Sequence, residues 1–114
     1  MRAATGLAFV LACSAVGDRT VPPLQVSHAV EGDGTRLALV ASSGIRINAR
    51  LKPALELADG TVLRFDSPRL TADSAYFAEP PSTLVRMPWK GVHGTLRASI
   101  CGEDAACRPF VLNL

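Results

Sequence analysis

Thr95-Leu96-Arg97-Ala98-Ser99-Ile100-Cys101, then Gly102-Glu103-Asp104-Ala105-Ala106, then Cys107-Arg108-Pro109-Phe110-Val111-Leu112-Asn113-Leu114, is the stretch on which the reading of this chain turns. An alternating segment, a short loop without a large apolar residue and a second apolar segment make the pattern of a β-hairpin. Residues facing each other across an antiparallel pair lie about 4.5 to 5.5 Å apart at Cα, inside the window of about 4.4 to 6.8 Å that a disulfide requires. Cys101 and Cys107 can therefore bond without moving the backbone. The chain has 3 cysteines, and the remaining one, Cys13, lies in a segment that reads as an export signal, so the folded part keeps one pair and one expected bridge.

Two readings of that bridge stand side by side. It can be a structural staple, as small exported domains often carry. A staple around so short a loop, however, removes little entropy from the unfolded chain, because the gain grows only with the logarithm of loop length. A short, polar, exposed loop suits a bond that is meant to be opened.

Upstream of the hairpin the chain keeps the same period of two. Gln25 to Val30 and Arg36 to Ala41 alternate apolar and polar residues about the glycine-rich turn Glu31-Gly32-Asp33-Gly34-Thr35, and Ile45 to Asn48 alternates again before Pro53. Ala54 to Leu57 and Thr61 to Phe65 flank Ala58-Asp59-Gly60, where Asp-Gly is a strong hairpin signal because both residues tolerate positive φ. Asp66-Ser67-Pro68 and Glu79-Pro80-Pro81-Ser82 bound a long irregular region, since proline cannot donate to a ladder. Thr83 to Met87 resumes as a strand, and Pro88-Trp89-Lys90-Gly91 turns the chain toward the final hairpin. No segment holds a 3.6-residue period over three turns. About seven to nine short antiparallel strands at turn spacings of about eight to twelve residues predict an all-β fold, an immunoglobulin-like β-sandwich.

The N-terminal end reads differently. Met1-Arg2 and the apolar run from Ala3 to Ala12 are too short for a bilayer span, which takes about 20 apolar residues, but suit a signal peptide over residues 1–12. Val10-Leu11-Ala12-Cys13 has the form of a lipobox, which makes Cys13 a lipidation site and residues 13–23 a lipid-anchored tether; the competing reading is a plain signal cleaved after Ala15. Residues 24–114 form the expected single domain. Either reading exports the protein to the periplasm, where a disulfide persists, and in the lipobox reading a lipid is its only hold on a membrane.

Charge says little about partners: 12 basic and 10 acidic residues are spread without runs, for a net charge of +2, so the chain lacks the footprint of a nucleic-acid binder. His28 and His93 have no cysteine or carboxylate at metal-ligand spacing, so neither a metal nor another cofactor is expected, and His28, alternating with Val26 and Val30, reads as a partly buried strand residue. Phosphate loops, nucleophile elbows and Ser/His/Asp spacings are missing from the sequence, which leaves hydrolase and nucleotide chemistry without support. Around the cysteines, Arg108 favours a thiolate at Cys107, whereas Glu103 and Asp104 oppose one at either sulfur, which makes Cys107 the better nucleophile.

Cys101-x5-Cys107 with its trailing Pro109, the Leu96-x-Ala98-x-Ile100 strand before it, Ile47-Asn48-x-x-Leu51-Lys52-Pro53 and Asp73-Ser74-Ala75-Tyr76-Phe77 together resemble the N-terminal periplasmic domain of the thiol:disulfide interchange protein DsbD. The resemblance runs from about Gln25 to the C-terminus. It departs where the family often has a second proline after the second cysteine, here Phe110, and where it has a glycine after the aromatic pair, here Ala78. The resemblance implies that Cys107 forms the mixed disulfide with a partner and that Asp73, Tyr76 and Phe77 belong to a cap over the cysteine pair. An exposed aromatic pair forgoes burial unless it covers something, and the other reading of Tyr76-Phe77 is a plug at the open end of the sandwich.

The expected function is thiol–disulfide exchange through Cys101 and Cys107 by a monomer. It would take electrons from a thioredoxin-fold or membrane donor and pass them to an oxidised periplasmic protein. The alternative is a non-catalytic envelope lipoprotein, a binding module whose disulfide is only structural.

Overall fold

The computed structural model describes residues 21–114, so the expected signal peptide, the lipidation site Cys13 and most of the tether lie outside the described residues. The described chain is all β apart from one 3-10 turn at Trp89–Gly91, and its strands form two antiparallel sheets packed as a sandwich. The strands are β1 (Leu24–Glu31), β2 (Gly34–Ala41), β3 (Arg46–Ile47), β4 (Ala54–Leu57), β5 (Val62–Arg64), β6 (Ser82–Val85), β7 (Gly94–Cys101) and β8 (Cys107–Asn113).

The smaller sheet has the order β1-β2-β6. In the larger sheet β7 is the central strand: β8 pairs with it along Thr95–Cys101, while β4 pairs with Gly94–Arg97 and β3 with Ile100–Cys101. A strand has two edges, so β3 and β4 lie end to end on the edge opposite β8. β5 completes the sheet beyond β4.

The alternation read from sequence decides which residues meet between the sheets. Leu37 and Leu39 of β2 face Leu55, Leu57, Leu96, Ala98 and Ile100 of the larger sheet, with Leu24, Ile47, Phe65, Val85 and Val92 filling the rest of the core. The expected Asp-Gly turn is present: Gly60 sits at φ 93°, a conformation that disfavours a side chain, and the Asp59 carboxylate accepts a hydrogen bond from the Thr61 N–H at 2.9 Å. Thr35, buried in the core face of β2, donates to the Met87 carbonyl at 2.7 Å and so leaves no unpaired hydroxyl.

Two expectations are corrected. The region from Asp66 to Pro81 is more ordered than its prolines suggest: Leu70 and Phe77 form a bridge, Ala78 N–H donates to Arg69 O at 2.9 Å, and the segment folds back as a small hairpin. His28 is exposed rather than partly buried, because burial falls away along β1 until Val30 is 87% exposed. Its ring stacks on Trp89 with centroids 4.2 Å apart and planes 9° from parallel.

Candidate disulfide site

Cys101 and Cys107 are directly opposed across β7 and β8, 4.0 Å apart at Cα, and bonded to each other. The loop between them is fixed by its own backbone: Gly102 N–H donates to Ala106 O and Ala105 N–H to Gly102 O, both at 3.0 Å. Asp104 accepts from the Ala106 N–H at 3.1 Å, a turn-stabilising role for one of the two loop acids. Ala105 takes φ 66°, a left-handed conformation that costs a residue with a Cβ about 1–2 kcal/mol.

Side chains alternate along β7, so Leu96, Ala98 and Ile100 enter the core while Arg97, Ser99 and Cys101 occupy the outer face of the larger sheet. Cys101 is nevertheless 0% exposed, being flanked on that face by Arg46 of β3 and Cys107 of β8, its two cross-strand partners. Cys107 is exposed. The bridge thus has a covered member at the centre of the sheet and an open one on the edge strand.

The expected cap residues divide between the two faces. The backbone of Ala75–Phe77 pairs with the chain beyond β3: Ala49 N–H donates to Ala75 O at 2.8 Å, Phe77 N–H donates to Ile47 O at 3.1 Å, and Asn48 bridges Tyr76. Asn48 in turn sits beside Ser99, donating its Nδ2 to the Ser99 hydroxyl at 3.4 Å, which puts Tyr76, Asn48, Ser99 and Pro109 in one row on the outer face. The row holding Arg46, Cys101 and Cys107 runs beside it. Tyr76 therefore stands on the face of the disulfide, whereas Phe77, one residue on, packs against the core beside Ile45 and Ile47. Placing Phe77 with Tyr76 over the bridge is corrected by this alternation, and Phe77 fits the plug reading instead.

Asp73 shapes the loop that carries Tyr76. Its carboxylate accepts from the Thr71 hydroxyl at 2.7 Å and from the Ala75 N–H at 3.0 Å, while its carbonyl accepts from Arg50 at 3.2 Å. The Thr71 hydroxyl and then the Ala75 N–H hold the Asp73 carboxyl below its usual range. Ser74 beside it adopts φ 60°, a left-handed conformation.

Two cations stand near the cysteine pair, Arg108 beside Cys107 in the groove lining and Arg46 opposite Cys101. Arg108 follows Cys107 in a strand, so its side chain belongs to the other face, where its cross-strand partner is the core residue Ile100. On the disulfide's face the cross-strand partner of Cys101 is Arg46. Its guanidinium carbon lies 4.2 Å from the centroid of the Tyr76 ring, and its Nη2 donates to the Gly102 carbonyl at 3.2 Å. One side chain thus ties the aromatic ring to the start of the cysteine loop. Nothing in the sequence around Arg46 singles it out; its partner is set by the register of a two-residue strand. Glu103 leans toward the turn before β3, where a Cβ on Gly44 would come within 3.2 Å of its Oε2. Pro109 is on edge strand β8 and faces Ser99.

Beside Cys107 the outer face sinks into a groove of about 350 Å³, with Leu51, Ala54 and Pro109 as its apolar walls and Lys52, Arg97, Ser99 and Arg108 as polar neighbours. Among the described residues there is no group of three or more His, Cys, Asp or Glu side chains placed to hold a metal ion, and no helix long and apolar enough to cross a membrane. Fold and site together define an all-β sandwich with a half-covered disulfide at one end of its larger sheet. Comparison of the chain with protein-family models, curated proteins and solved structures finds no match.

Proposed function

We propose that this domain is a thiol–disulfide exchange module, the reading its resemblance to the DsbD N-terminal domain also suggests. The observation that carries the proposal is the asymmetry of the bridge: Cys101 is 0% exposed, while Cys107 is exposed on an edge strand and borders a groove. A partner thiolate must approach a sulfur along the S–S axis, and only one end of this bond offers that approach. A loop this short yields about 2 kcal/mol of loop-closure stabilisation, less than a staple spanning distant parts of the chain.

In the reduced protein the Cys107 thiolate attacks one sulfur of a partner's disulfide. The partner's S–S bond breaks, its leaving thiolate takes a proton from solvent, and a Cys107–partner mixed disulfide remains. Cys101, deprotonated, then attacks the Cys107 sulfur, restoring the intramolecular bridge and releasing the partner's second thiol. Two electrons have passed from the cysteine pair to the partner, which is an oxidised exported protein in this reading. A dithiol donor, thioredoxin-like or membrane-borne, returns them. Arg46 is the cross-strand partner of Cys101 on this face, and Tyr76, held by Arg46, restricts access from the side of β3.

Trapping tests the assignment of the two sulfurs. Cys101→Ser leaves Cys107 free to attack without a resolving thiol, so it accumulates mixed disulfides with an added oxidised protein, seen as adducts that reductant dissolves. Cys107→Ser accumulates far fewer. Equal trapping by the two variants contradicts the proposal.

A further inference from the structure

The groove beside Cys107 has a charge pattern as well as a shape. Pairing across the larger sheet places Arg64, Ala54, Arg97 and Val111 in one row on the outer face, two residue pairs along β7 from the cysteine row. At about 3.3 Å per residue, the four residues from Cys101 to Arg97 span about 13 Å. Arg64 and Arg97 flank Ala54, each one strand away, so their stems stand about 10 Å apart across an apolar floor.

Two acids share this face. Asp66 is taken by Lys52 at 2.7 Å, and Glu56 lies 3.6 Å from Arg97 with both side chains more than half exposed. Arg64 has no ion-pair partner among the described residues. Beyond the cysteines the loop carries Glu103 and Asp104, with Arg46 at its start. The Arg64 and Arg97 pair therefore lies to one side of the bridge only, about 13 Å along the sheet.

We infer that this groove docks an extended segment of the partner protein that carries acidic residues about four positions from its reacting cysteine, on one side only. An extended segment advances at the same rate as β7. With its sulfur at Cys107, its apolar residues lie against Ala54 and Pro109, and a carboxylate four residues away reaches Arg97 and Arg64. The inference names the substrate class for the proposed exchange and rests on that reading for the position of the sulfur, while docking itself needs no chemistry.

Two readouts separate the docking from the exchange. Ten-residue peptides with serine in place of the cysteine, and paired Glu, Gln or Lys four positions before or after it, are measured for binding to the oxidised protein by fluorescence anisotropy. The same peptides with a cysteine in mixed disulfide with mercaptoethanol are measured for their rate of exchange with the reduced protein. One Glu peptide should bind about threefold to tenfold tighter than its Gln counterpart at low salt, as expected for two exposed ion pairs, and should lose that advantage at high salt. Arg64→Glu with Arg97→Glu should reverse the order of Glu and Lys peptides, and the milder Arg64→Gln with Arg97→Gln should level it. Equal binding of Glu and Gln peptides by the unaltered protein, or a preference that survives both double variants, overturns the inference. Concentration-dependent self-association abolished by the same variants also overturns it, by assigning the groove to a second copy of the chain. A Glu preference in binding with no exchange leaves the docking groove standing and removes the exchange reading.

Discussion

The Arg46 guanidinium carbon lies over the Tyr76 ring, 4.2 Å from its centroid, and the same side chain donates to the carbonyl of Gly102, the residue after Cys101. This contact joins the loop holding Tyr76 to the hairpin holding the disulfide, two parts of the chain that meet only in the fold. A cation–π contact at an exposed position is worth about 0.5–1 kcal/mol, enough to bias a loop between closed and open without locking it.

Removing that bias should show first in chemistry. Arg46→Ala and Tyr76→Ala should each speed reduction of the bridge by dithiothreitol about twofold to fivefold, the factor that 0.5–1 kcal/mol gives in a rate limited by loop opening. The double variant should be no faster than the quicker single one, because both remove the same contact. Additive effects would show that the two side chains act separately.

Phe77 should behave in the opposite way. It packs against the core, so Phe77→Ala should lower unfolding free energy by about 2 kcal/mol, less than a fully buried phenylalanine loses, in urea titrations of the oxidised protein. Tyr76→Ala should cost less than half as much. A rate gain for Phe77→Ala larger than that for Tyr76→Ala, with stability unchanged, would put Phe77 back over the bridge.

The sequence carried the larger architecture because strand alternation and turn chemistry are local. The β7–β8 hairpin, the direct opposition of Cys101 and Cys107, and the Asp59-Gly60 turn all follow from neighbours within a few residues. The strand direction of Arg108 was legible too: in a strand that starts at Cys107, the next residue points to the opposite face. The same period of two separates Tyr76 from Phe77, but no local pattern marks that residues between two proline-rich stretches pair with the end of β3. Arg46 was out of reach for a similar reason. Its position beside Cys101 depends on how β3 registers against β7, a long-range pairing that leaves no local mark.

Acid should release the Tyr76 loop through Asp73. Its carboxyl, held below the ordinary 3.8 by the Thr71 hydroxyl and the Ala75 N–H, binds its proton less readily in the folded loop than in the unfolded chain. The contribution to loop closure is therefore complete above the unfolded value and fades as pH falls through the lower folded one. Tyr76 is the only tyrosine, so its ring resonances report on the loop directly. They should shift with a midpoint below 3.8, and Asp73→Ala should remove that transition. A midpoint at or above the ordinary value would deny Asp73 this role.

The reduction potential of the Cys101–Cys107 bridge tests the exchange reading most directly. Structural bridges in exported proteins lie below about −300 mV, whereas exchange-active ones lie above it. Equilibrating the domain against graded ratios of reduced and oxidised glutathione, with the thiol and disulfide forms separated after acid quenching, should give a potential above about −300 mV with both forms folded. A bridge that stays closed across the whole series would contradict the account and leave the disulfide as a staple.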